Sequence, residues 1–142
     1  MFIKNVQYNV EISEYAEKHY IKDFVKNYKS HWDLTLESIT ESLERIYYLN
    51  EKKHASLDII KFSDDRSLGV VKFDFKVFKT NESSKTSGNR IIAIVNNNTN
   101  TIELCLVYSK NNVAGNKETN WWIGHIENNF PDQNSILNLQ KS

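Results

Sequence analysis

The run IIAIV at residues 91–95 and the run IELCLVY at 102–108 flank a polar connection, Asn97-Asn98-Thr99-Asn100. Apolar runs this short and continuous, joined by a polar turn, read as a hairpin of two central strands of a sheet. Any fold for this chain must be built around that pair. Upstream, Val71, Phe73, Phe75 and Val77 alternate with Lys72, Asp74 and Lys76, the period of a strand with one polar face. Ile59 to Phe62 is a weaker strand candidate, and Tyr8, Val10 and Ile12 alternate with polar residues to form a first strand. Residues 79–89, KTNESSKTSGN, hold no apolar residue and read as a loop.

Between the first strand and the rest lie two amphipathic stretches. Ser13 is placed to cap a helix from Glu14 to about Lys29, with Ala16, Tyr20, Phe24 and Tyr28 on one face. Asp33 is placed to cap a second helix to about Leu49, with Leu36, Ile39, Leu43 and Ile46 spaced three and four apart. Asn111 to Lys117 reads as a loop containing Gly115. After it, Thr119 opens a short helix with Trp122, Ile126 and Phe130 on one face, ended by Pro131. The expectation is an α+β fold in the order β-α-α-β-β-β-α, a helical hairpin on one face of a curved antiparallel sheet. One domain is expected over residues 1–130, followed by a tail at 131–142.

At 142 residues, with 39% hydrophobic and 25% charged residues, the chain can bury one core, which excludes a disordered or fibrous class. The lone Cys105 sits inside an apolar run and reads as a small buried hydrophobe. No stretch has the apolar length of a membrane span, and the N-terminal MFIKNVQYNVEIS lacks a signal-type apolar core, so the expected location is cytoplasmic. The four histidines, His19, His31, His54 and His125, lack ligand spacing, so neither a metal nor another cofactor is expected.

Formal charge is zero, but residues 11–65 carry twelve acids against eight bases, whereas 72–110 carry six bases against three acids. The second-half cations are Lys72, Lys76, Lys79, Lys85, Arg90 and Lys110. In a meander, Lys72, Lys76, Arg90 and Lys110 converge at one end of the sheet as an anion site, unless the lysines simply solvate a polar face. Trp121 and Trp122 follow, and adjacent helical residues point about 100° apart, so one indole is expected in the core and the other partly exposed. An exposed aromatic beside cations is a stacking surface for an unpaired base.

The segments YNVEISEYAEKHYIKDFVKNY and SGNRIIAIVNNNTNTIELCLVYSKN resemble the RelE/ParE superfamily of bacterial toxins from toxin–antitoxin operons. The first is similar to the opening strand and helix of that family. The second is similar to its Gly-x-Arg strand entry, polar hairpin and basic strand end. The resemblance implies a toxin whose partners are a cognate antitoxin, the ribosome and mRNA, and whose reaction is metal-independent mRNA cleavage. Lys72, Lys76, Arg90 and Lys110 then fall at catalytic positions, with Lys85, Trp121 and Trp122 in substrate binding. Arg90 is the expected phosphate clamp, its guanidinium exposed at a strand entrance. Two alternatives stand beside this: a DNA gyrase inhibitor of the ParE type, and a non-catalytic binding module that keeps the fold, which zero net charge favours. An antitoxin segment is expected to cover the cationic sheet face and pair with the exposed sheet edge.

Overall fold

The computed structural model describes residues 2–113 and 117–142. Residues 114–116 of the expected loop, Gly115 among them, lie outside the described residues. In chain order the elements are β1 (Asn9–Ile12), α1 (Glu14–Ala16), a π-helical turn (Glu17–Ile21), α2 (Lys22–Tyr28), α3 (Ser30–Glu44), α4 (Ile46–Glu51), β2 (Leu57–Phe62), β3 (Leu68–Phe75), β4 (Asn89–Asn96), β5 (Thr101–Ser109), α5 (Glu118–Asn129) and α6 (Pro131–Leu137). The sheet order is β1-β5-β4-β3-β2.

Each helix begins or breaks for a local reason. Ser13 caps α1, its Oγ accepting from the Ala16 N–H at 3.0 Å. The second helical stretch starts at Ser30, earlier than Asp33, and breaks at Arg45, whose φ of −112° and ψ of 40° leave the helical region. α5 starts at Glu118 with no side-chain cap, so Thr119 lies within the helix. Pro131 opens α6 instead of ending the chain's order, because a proline at the first helical position forfeits no hydrogen bond.

Three expectations are corrected. The sheet is mixed, since β1 runs parallel to β5 while the other pairs are antiparallel. Alternation identifies a strand but carries no information on the direction of its neighbour. The helices also cover both faces. On one face, Ala16, Phe24, Trp32, Ile39 and Leu43 pack against Val71, Phe73, Ile91, Ala93 and Leu104. On the other, Trp122, Ile123, Ile126 and Phe130 of the C-terminal segment pack against Val70, Ile92, Ile94 and Leu106. Central strands this apolar expose hydrophobic rows on both sides, and one helical layer leaves half of them in water. Lastly, residues beyond Phe130 join that second core, with Leu137 and Leu139 both buried. Cys105 is fully buried, which pushes its thiol pKa up and away from nucleophile chemistry.

Candidate functional site

The charged centre of the second half lies where β3, β4 and β5 run side by side. Asp74 stands opposite Arg90, and Arg90 opposite Tyr108, so the three form one row across the sheet. The row exists because of a bulge. The β4–β5 register shifts between Ile92 and Ala93, with Ile92 opposite Leu106 and Ala93 opposite Leu104, which leaves Cys105 as the extra residue. That one residue turns Leu106 and Tyr108 to the α5–α6 side, whereas Ile102 and Leu104 face the N-terminal helices.

Glu118, the first residue of α5, descends on this row. Its Oε2 lies 3.0 Å from Arg90 Nε and accepts the Tyr108 hydroxyl at 2.7 Å. Asp74 Oδ1 lies 3.7 Å from the same Nε. The Arg90 side chain is 14% exposed, against 12% for Asp74 and 26% for Glu118. The contacts are ion pairs and not aligned hydrogen bonds, and Arg90 Nη1 is buried without a partner among the described residues. What holds the cluster is charge: one guanidinium between two carboxylates. Burial, then the adjoining Glu118 carboxylate, pushes the Tyr108 phenol well above its ordinary pKa.

The expectation that Arg90 presents an exposed guanidinium is therefore corrected. Its carboxylate partners sit 16 positions before it and 28 after it in sequence, a pairing that no local pattern announces. Among the described residues, none of the other expected cations forms an ion pair with Asp74 or Glu118. Lys72 shares the sheet face of Arg90, half-buried and opposite Asp58 of β2. Lys76 is exposed just past the end of β3, beside a recess that Thr35 and Phe78 also line. Lys110 is exposed and lies along Gly88, where a Cβ would stand 3.0 Å from Lys110 Cγ and the φ of +75° suits glycine. Lys85 is exposed in the β3–β4 loop.

The two indoles divide as their spacing requires. Trp122 is 1% exposed in the core, and Trp121 is half-buried. Trp121 does not stand free, however. Its ring lies 4.8 Å from Tyr108 and 4.4 Å from His125. His125 Nδ1 is 2.8 Å from the Tyr15 hydroxyl, and the Tyr15 ring is 4.5 Å from His19. The sequence separates His19 and His125 by 106 positions, and the fold brings both against the Tyr15 ring. This seam joins the first helical stretch to α5. Burial lowers the His125 pKa, and His19 acts in the same direction. Among the described residues, no group of three or more His, Cys, Asp or Glu side chains is placed to hold a metal.

β2 and β1 are the two terminal strands of the sheet, and β2 pairs with β3 alone. Ile59 and Ile60 are each 37% exposed, and the register slips between Ile59 and Lys61. Next to it a recess of about 340 Å³ is lined by Leu49, Lys53, Leu57 and Ile59.

No family model matches the chain, and no curated protein sequence does. Among solved structures it is similar to one described as the crystal structure of an archaeal RelE–RelB complex from Pyrococcus horikoshii OT3, at 18% identity and a TM-score of 0.48, over 76% of this chain and 100% of that one. No helix among the described residues is long and apolar enough to cross a membrane.

Proposed function

We propose that this protein is a non-catalytic binding module of RelE/ParE-like design, which works by engaging a partner protein and does not cleave RNA. One observation carries the reading: the arginine at the expected phosphate position is neutralised by Glu118 and Asp74 beneath a helix. Phosphoryl chemistry needs cations free to meet charge that develops on phosphate oxygens. Here the fork is committed, and Lys76, Lys85 and Lys110 stand exposed apart from it.

The β2 edge suits a partner's extended segment. As a terminal strand it pairs with β3 alone, and the recess beside Ile59 takes an alternate side chain of an added strand. The strand carries two adjacent exposed isoleucines, Ile59 and Ile60, between the exposed charges of Asp58 and Lys61. The partner that the sequence resemblance implies is an antitoxin-like protein.

Induced expression in bacteria separates the readings. A binding module leaves growth and mRNA intact. Arrest with fragmented mRNA establishes the ribosome-dependent endonuclease reading instead, and an SOS response with intact mRNA the gyrase reading.

A further inference from the structure

A recess lined by none of Asp74, Arg90, Tyr108 and Glu118 lies between the segment at residues 5–7 and the junction of α3 with α4. Its volume is about 560 Å³, within the range of small-molecule sites. We propose that this cleft binds a phosphomonoester carried on a hydroxylated body, a sugar phosphate or nucleoside monophosphate. The inference is independent of the reading given above.

The local backbone explains why the cleft exists. At Arg45 the helical path stops and restarts, so α4 turns away from α3 and leaves a gap beside the N-terminal segment. The gap is bridged by the Tyr48 hydroxyl, which donates to Asn5 Oδ1. At the other end of α4, Lys53 takes a φ of 53°, and the His54 N–H returns to the Leu49 carbonyl at 3.0 Å, a left-handed helix stop that sets His54 on the cleft wall.

The lining is a donor set with an apolar side. Arg45 and Lys52 are exposed, and neither forms an ion pair among the described residues. The nearby Glu44 carboxylate accepts instead from Gln7 Nε2 at 3.3 Å. His54 Nδ1 accepts the Ser56 N–H at 3.1 Å, so in the neutral ring the proton sits on Nε2, which adds a third donor. A guanidinium fork and an ammonium lining one cleft, at the two ends of α4, suit a dianion, since a lone carboxylate is satisfied by the fork alone. Glu41, one helical turn before Arg45, accepts from hydroxyls and repels a second phosphate. Tyr48 and Leu49 supply the apolar wall for the body of the ligand.

Calorimetric titration of the full chain with ribose 5-phosphate, AMP and inorganic phosphate tests this. The expected result is saturable binding of ribose 5-phosphate or AMP, tighter than inorganic phosphate, weakened at least about tenfold in Arg45→Gln and in Lys52→Ala, as loss of a charge-assisted contact implies. Tighter AMP identifies a nucleoside body and equal affinity a sugar alone, both within the proposal. Both variants should keep the wild-type melting temperature, because both side chains are exposed. No saturable binding, equal affinity for inorganic phosphate, or binding unchanged in the two variants overturns the assignment.

Discussion

Arg90→Ala should destabilise the protein by about 3 kcal/mol, measured as a shift of the urea midpoint at constant slope. The substitution removes the one cation between Asp74 and Glu118 and leaves two largely buried carboxylates facing each other without it. Glu118 keeps some contact with solvent, which holds the cost at the lower end for a broken buried pair. The reasoning also predicts a rescue. Adding Asp74→Asn and Glu118→Gln to Arg90→Ala removes the stranded charges and should recover more than half of the loss. An exposed phosphate clamp behaves oppositely: its removal costs little stability, and neutralising the two acids recovers nothing. Arg90→Lys should fall between, because an ammonium restores the charge but not the reach of the fork.

Deleting residues 131–142 should cost at least about 4 kcal/mol, since each of the buried leucines Leu137 and Leu139 is worth roughly 2–5 kcal/mol when lost from a core. The segment is also fastened at three further points. Lys61 Nζ donates to the Asn138 carbonyl at 3.1 Å, Lys141 pairs with Glu127 at 3.5 Å, and the Asn120 side chain exchanges two hydrogen bonds of 3.0 Å with the Ser142 backbone. A melting temperature lowered by more than about 10 °C is the expected result for a chain of this size. A solvated tail predicts no change, and Leu137→Ala alone distinguishes a lost core contact from loss of the whole segment.

The first strand and the helical stretches were legible because each carries its own period, and the hairpin because two short apolar runs flank a polar turn, with the burial of those runs following from their composition. What lay beyond local pattern were choices between partners. Asp74 and Lys72 alternate with core residues and read as a solvated face, yet that face lies under α5 and α6. Only the bulge at Cys105 brings Tyr108 opposite Arg90. A register counted from the hairpin turn without the bulge places Val107 there instead, and Val107 belongs to the opposite core. Glu118 had no sequence signal beyond an acid in the first turn of a helix, which the helix dipole explains by itself. The seam of Tyr15, His19, Trp121 and His125 was equally hidden, since its members come from opposite ends of the chain. Apolar runs without alternation require cover on both sheet faces, and the C-terminal helices supply that second layer.

The account turns on Arg90 being committed inside the protein, and the direct measurement is nuclear magnetic resonance of its Nε–H group. Buried beneath α5, with its nitrogen paired to Glu118 at 3.0 Å, this group should exchange its proton slowly with solvent, and its resonance should stay in place as a single-stranded RNA oligonucleotide or inorganic phosphate is added to millimolar concentration. Fast exchange together with a saturable shift on addition of RNA contradicts the account and returns Arg90 to the role of phosphate clamp.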